Sequence, residues 1–185
     1  MDAVTFISRI RDHYIQQFQA FAEEQRRNCT QGAAEVKLQL NEGDLFRRLY
    51  CADFIKNDDQ SVIVELQPGS VLTFEPVSIP FGAASLSIEH LRWDDVLLYH
   101  DVAELPPQDL AKWFHLWFDP NDERFDRDAQ LSNVIHSLLV KPGVLSIDFG
   151  SAATEALRDM LELIQAAGAK VIRVSSSMQE APGSA

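Results

Sequence analysis

The chain has 185 residues, 46% of them hydrophobic and 24% charged, which is typical of a folded globular protein with its own core. Its 28 acidic and 16 basic residues give a formal net charge of −12, which disfavours nucleic acids and anionic membranes as partners. No run of about 18 apolar residues and no signal-peptide pattern is present, so we expect a cytoplasmic protein without a membrane span.

The N-terminal segment is predicted to be a long amphipathic helix over residues 3–27. Its apolar side chains recur at spacings of three and four, as one face of a helix requires. We expect this face to cover the protein's own sheet, with a partner subunit as the alternative. The face is formed by Phe6, Ile7, Ile10, Tyr14, Phe18 and Phe21.

Between residues 34 and 102 the apolar residues mostly alternate with polar ones, which predicts antiparallel strands with short turns. Pro68-Gly69 is a typical turn pair, and Pro76 and Pro80 favour an edge strand or a bulge. Residues 45–55 fit either a helix or a strand. Cys29 and Cys51 lack metal or redox spacing and are expected to be reduced thiols, with a single disulfide as the alternative. The predicted strands cover 35–40, 61–67, 70–77, 84–91 and 95–102.

After residue 103 the pattern becomes helical. A helix begins at Pro106-Pro107 and ends at Asp119-Pro120, because proline cannot donate a backbone hydrogen bond. A charged loop covers 121–128, and a shorter helix is predicted over 128–139. The aromatic helix carries an apolar stripe of Leu110, Trp113, Phe114, Trp117 and Phe118.

The C-terminal region predicts a strand over 144–149, a helix over 152–167 and a strand over 170–176. Short loops between them indicate a βαβ unit. The sequence therefore predicts an α+β fold: an antiparallel meander sheet packed by the N-terminal helix and two or three later helices, with the βαβ unit last. We expect one domain over 1–176, made of 1–28, 34–102, 103–140 and 144–176, and a flexible tail over 177–185.

The turn after strand 144–149 is the first candidate site. Asp148, Gly150 and Ser151 precede a predicted helix, and backbone N–H groups at a helix start bind anions. Neither GxGxxG nor a P-loop is present, and the carboxylate of Asp148 would repel phosphate. Two interpretations stay open: a helix capped by Ser151, or a small-molecule or anion site.

A second candidate is a metal site at the ends of a strand and the aromatic helix. His115 and Asp119 lie four residues apart on the helix, a spacing that can share a metal, and His100-Asp101 ends the preceding strand. HExxH and CxxC are absent, as is the nucleophile motif GxSxG, and no cofactor is predicted.

The acidic residues are concentrated in the middle of the chain, where residues 57–128 hold fifteen acids and four bases. Such a region attracts cations or a basic protein partner, with solubility of the folded protein as the alternative explanation. The sequence thus predicts a non-catalytic binding protein. The alternative is an enzyme or a ligand-binding domain whose site lies at 148–152. A homodimer through the N-terminal or the aromatic helix also stays open. The expected partner surface includes Asp94, Asp95, Asp122 and Glu123.

Overall fold

The computed structural model describes residues 3–41 and 43–177. Of the predicted tail, only Ser177 falls within this part, and the remainder lies outside the described residues. Helices and strands follow one another as α1 Ala3–Arg27, β1 Gly32–Gln39, α2 Leu45–Arg48, β2 Leu49–Asn57, β3 Ser61–Val64, β4 Val77–Phe81, β5 Ala84–Ile88, β6 Val96–His100, α3 Pro107–Phe118, β7 Ser137–Lys141, β8 Val144–Asp148, α4 Thr154–Ala166 and β9 Val171–Ser175.

These strands form two sheets. The first is an antiparallel meander in the order β1-β2-β3. The second has the order β4-β5-β9-β6-β8-β7, in which β5 and β9 are parallel and the other neighbours antiparallel. The α+β class is confirmed, with the meander confined to β1–β3. Proline-containing β4 is an edge strand, as expected.

The predicted C-terminal unit is present, with one strand inserted. Helix α4 carries the chain from β8 across β6 to β9. Both β8 and β9 pair antiparallel with β6, so they run parallel to each other without touching. β8 itself lies one strand from the edge of the six-stranded sheet, between β6 and β7.

The two amphipathic helices bury their apolar faces within this chain. Helix α1 packs against α4, β1 and β2, and Ile10, Tyr14 and Phe18 on its inner face are buried. Helix α3 buries the whole predicted aromatic stripe and ends at Phe118, as the Asp119-Pro120 pair predicted. Within the described part of the chain, we find no helix with the length and apolar character that a bilayer crossing requires.

The helix predicted over 128–139 is wrong. This segment is irregular until β7 begins at Ser137. Asn133 has a positive φ of 58°, which ends any helical path, and the next backbone N–H groups pair with distant residues: Ile135 with the Trp117 carbonyl at 3.0 Å and His136 with the Asp148 carbonyl at 2.8 Å. The apolar residues are buried because the segment passes through the core, so their spacing imitated a helix.

The strand predicted over 70–77 is also wrong, apart from Val77, where β4 begins. Residues 65–76 pair with no strand. They run along α1 instead: Ser70 N–H donates to the Gln17 side chain at 3.2 Å, and the rings of Phe6 and Phe74 meet at 4.6 Å. The ambiguous segment 45–55 contains both alternatives, one turn of helix in α2 followed by β2.

Candidate functional site

The turn after β8 is filled by the ring of a histidine. Gly150 has a φ of +48°, and a Cβ on it would lie 2.1 Å from Cδ2 of His136. Only glycine leaves room for the imidazole at this position and adopts this backbone conformation without strain. The space through which a ligand would reach the turn is therefore occupied by His136.

The polar groups of the turn are also satisfied within the protein. Gly150 N–H donates to the Asp148 carboxylate at 2.8 Å, and Ala152 N–H donates to the Val134 carbonyl at 3.1 Å. The prediction that Ser151 caps the following helix is wrong, because α4 begins at Thr154 and its N-cap residue is Ala153. The Ser151 hydroxyl donates to Glu35 instead.

His136 lies between two buried carboxylates. Its Nδ1 is 2.8 Å from Oδ1 of Asp53, and its Nε2 is 3.0 Å from Oε1 of Glu35. The side chains of His136 and Glu35 are 2% and 1% exposed, so water does not screen this contact. We refer to Glu35, Asp53, His136 and Asp148 as the His136 cluster.

The outer oxygens of these carboxylates are hydrogen-bonded too. Asp53 Oδ2 accepts from Leu66 N–H at 2.7 Å, and Glu35 accepts from Ser132 N–H. Buried carboxylates need such donors to offset the loss of hydration. Each member of the cluster is thus held in a fixed position.

The main chain of His136 joins the two sheets. Its N–H donates to the Asp148 carbonyl on β8, and its carbonyl accepts from Cys51 N–H on β2, both at 2.8 Å. The ring of Phe18 on α1 packs on the imidazole at 5.6 Å between centroids. The cluster therefore lies at the seam between the sheets, where four elements of the fold meet.

The charged side chains of the cluster shift one another's pKa values. Burial works to lower the pKa of His136, but its hydrogen bonds to Asp53 and Glu35 and the charge of Asp148 raise that pKa well above its usual value. Burial also works to raise the pKa of Glu35, and its bonds to His136 outweigh this and lower it. The imidazole is therefore a cation with both ring nitrogens donating.

Burial and the negative charge of neighbouring carboxylates raise the pKa values of Asp148 and Tyr14. Burial, together with the charge of Asp53, raises the pKa of Asp148 to about 7, although His136 opposes the shift. Burial raises the pKa of Tyr14 as well, and the carboxylates of Asp148 and Asp53 add to it. The cluster thus favours a cation and disfavours an anion.

The four residues predicted to bind a metal are not brought together. His100 lines a groove with Phe46 and Leu105, whereas His115 and Asp119 line a different one beside α3. The carboxylate of Asp101 accepts from the backbone of Lys170 and Val171. Over residues 3–41 and 43–177, one group of three ligand-bearing side chains converges, and it consists of Asp53, His136 and Asp148.

The predicted partner residues fall on two loops. Before β6, Asp94 is paired with Arg92 at 2.6 Å and is only 16% exposed, and Asp95 accepts from Ser177 N–H at 2.9 Å. These two carboxylates serve local structure.

After α3, Asp122 pairs with Lys37, and Glu123 lies 3.8 Å from His115. Both of these acids are exposed and remain accessible to a partner.

The loop after α3 is the most exposed segment inside the described fold. Every residue from 121 to 130 is exposed, including the ring of Phe125 at 68%. Leu116 on the neighbouring turn of α3 is 51% exposed. A groove of about 690 Å³ lies between α3 and this loop, lined in part by Leu116, His115 and Glu123. We call residues 119–128 the acidic loop.

The sequence carried little indication of the His136 cluster. Glu35 and Asp53 lie 101 and 83 positions away from His136 along the chain. The one available signal was a histidine inside an apolar segment, Val134 to Val140, which is most often a buried and satisfied side chain. Phe125 could have been noticed as an aromatic residue in an otherwise polar loop.

Comparison of the chain with protein-family models, with curated proteins and with solved structures finds no match. The molecule is thus defined by its own geometry: an α+β fold with a charged cluster at the seam of two sheets and an exposed acidic loop beside α3.

Proposed function

We propose that the protein is a non-catalytic binding protein that uses the acidic loop and the adjacent face of α3 to bind a basic protein partner. The observation that carries this proposal is the ring of Phe125, which is 68% exposed in a loop that also contains Glu123, Asp126 and Asp128. Aromatic residues contribute a large share of the binding energy at protein interfaces.

The charge of the loop determines the kind of partner. Residues 119–128 contain five acids and two bases. One of the bases, Arg124, donates to the Leu116 carbonyl at 2.6 Å and lies over the Trp117 ring, so its charge is engaged within the loop. Lysine and arginine side chains on the partner would meet the exposed carboxylates of Glu123, Asp126 and Asp128, and its apolar side chains would meet the exposed Phe125 and Leu116.

The loop is also held in a defined conformation. The buried carboxylate of Asp119 accepts from the N–H groups of Glu123 at 2.9 Å and Arg124 at 3.0 Å. Lys37 on β1 donates to the Asp119 carbonyl and to the Asp122 carboxylate. A loop fixed in this way loses less conformational entropy on binding than a flexible one.

The alternative of an anion site at the turn 148–152 is disfavoured by the same structure. The ring of His136 fills the approach to Gly150, and three carboxylates surround it. A bound phosphate would face these charges in a poorly hydrated environment.

Selection from a library of random peptides tests the proposal without a known partner. Peptides enriched on the wild-type protein are expected to carry lysine or arginine beside a large apolar residue. Their affinity is expected to fall about 30-fold in Phe125→Ala, which corresponds to about 2 kcal/mol for loss of a central aromatic contact. It should also fall in the double variant Glu123→Lys, Asp128→Lys, and at high salt.

The matched control reverses two exposed acids on other segments, Asp59→Lys and Glu75→Lys, with the same change in net charge. Peptides that bind through the acidic loop should bind this control with nearly wild-type affinity. Enrichment of no peptide, or equal loss of binding in the control and the loop variants, contradicts the proposal, because attraction to net charge alone would then explain the result.

A further inference from the structure

We propose that the His136 cluster binds a first-row divalent transition-metal ion, such as Zn²⁺ or Mn²⁺, with Asp53, His136 and Asp148 as its protein ligands. One ligand atom from each of these side chains lies within 4.8 Å of the other two. Ligand atoms about 2.1 Å from a tetrahedral ion lie about 3.4 Å apart, so ion binding requires side-chain shifts of up to about 1.4 Å that bring the three ligand atoms together.

The far side of the imidazole is arranged as in a metal site. His136 Nδ1 faces Asp53, and Nε2 lies 3.0 Å from Glu35. Histidine ligands of metals usually donate their second N–H to a carboxylate, which fixes the ring and increases the basicity of the ligating nitrogen. Glu35 is in turn held by the Ser151 hydroxyl and by Ser132 N–H.

The negative charges of the cluster outnumber its positive charges, which favours binding of a cation. Glu35, Asp53 and Asp148 contribute three carboxylates, and His136 is their one ion-pair partner among the residues that the structure describes. A divalent ion that replaces the Nδ1 proton, which leaves to solvent, brings the group closer to neutrality. One imidazole with two carboxylates suits zinc or manganese better than magnesium or calcium, which prefer oxygen ligands alone.

An ion could reach the site from the edge of the cluster. Asp148 is less buried than Asp53 and His136. Two protein carboxylates and an imidazole leave a fourth position that water can fill. This inference stands on the cluster alone and is independent of the proposed binding role of the acidic loop.

Metal titration of the full chain tests the site. Protein stripped with EDTA is titrated with Co²⁺, whose visible absorption reports its ligands, and with Zn²⁺ in a calorimeter. We expect one equivalent to bind and to raise the melting temperature. Asp148→Asn should weaken binding at least 100-fold, and Glu35→Gln should weaken it about 10- to 100-fold through its effect on His136.

Asp94→Asn is the matched control, because Asp94 is also a partly buried carboxylate near Tyr14 but lies outside the ligand set. It should bind metal as the wild type does. The Asp148→Asn variant keeps an oxygen that can accept from Gly150 N–H, and near-ultraviolet circular dichroism checks its fold.

Two results would overturn the proposal. The first is folded wild-type protein that takes up neither Co²⁺ nor Zn²⁺ at one equivalent, which would make the cluster a metal-free ion-pair network. The second is undiminished binding in folded Asp148→Asn, which would place the metal elsewhere on the chain.

Discussion

Replacement of Gly150 by alanine tests how tightly the His136 ring is packed on the turn after β8. The new Cβ would lie 2.1 Å from Cδ2 and 2.4 Å from Nε2 of the ring, far inside van der Waals contact. The ring would have to move by about 1 Å or more, since carbon atoms pack at about 3.5–4.0 Å. Such a movement breaks the 3.0 Å contact with Glu35.

Two costs make up the expected loss of stability. An alanine at a φ of +48° costs about 1–2 kcal/mol, because its Cβ crowds the neighbouring carbonyl oxygen. Disruption of a buried ion pair costs about 3–5 kcal/mol, because it leaves a carboxylate without its partner. The sum, about 4–7 kcal/mol, is a large part of the 5–15 kcal/mol that stabilises a typical domain.

Gly168→Ala is the control that isolates the backbone cost. Gly168 also has a positive φ, +99°, but a Cβ there would meet no atom within 4 Å. It should therefore cost about 1–3 kcal/mol. Urea unfolding followed by tryptophan fluorescence measures both variants, since Trp93, Trp113 and Trp117 are all buried.

The difference in free energy of unfolding between Gly150→Ala and Gly168→Ala shows whether the His136 ring is packed on the turn. If Gly150→Ala loses no more stability than Gly168→Ala, the ring of His136 is not packed against this turn, and our account of the cluster is incorrect. A double-mutant cycle with His136→Ala adds a second check, because the cost of Gly150→Ala should shrink toward the backbone value once the ring is removed.

Three further predictions concern other parts of the molecule. Burial raises the pKa of Cys51 to about 12, so a thiol reagent at about pH 8 should modify only the partly exposed Cys29 in the native protein and both cysteines in urea. Burial works to raise the pKa of Asp119, but two backbone N–H donors outweigh it and lower this pKa. Asp119→Asn should therefore lower the free energy of unfolding by about 1–2 kcal/mol near neutral pH. In urea unfolding, this difference from wild type should disappear as the pH falls below about 4 and through the lowered pKa, because the wild-type carboxylate is then protonated. Trp113→Phe removes the 3.0 Å bond from its indole N–H to the Ala156 carbonyl between α3 and α4, and should lower the free energy of unfolding by about 1–3 kcal/mol without a change in far-ultraviolet circular dichroism.

The elements predicted correctly are those whose pattern is local and long. The apolar face of α1 repeats over 25 residues, and the stripe of α3 is bounded by prolines on both sides, so neither depends on the remainder of the chain. The strand predicted over 70–77 and the helix predicted over 128–139 were wrong. In both segments the backbone is mostly irregular, and the apolar side chains contact α1 or the core at positions that follow no regular spacing. The order of the six-stranded sheet likewise depends on where α4 places β9.

The sequence by itself determined the α+β class, the two amphipathic helices, the C-terminal strand–helix–strand arrangement and the negative charge of the middle of the chain, since each follows from spacing or composition over neighbouring residues. Only the tertiary structure decided that the turn after β8 is closed by His136 and that Glu35, Asp53 and Asp148 surround this ring. Those side chains come from three different strands of two sheets, and their contacts depend on how the sheets pack against each other, a relation that no local pattern in a single sequence contains.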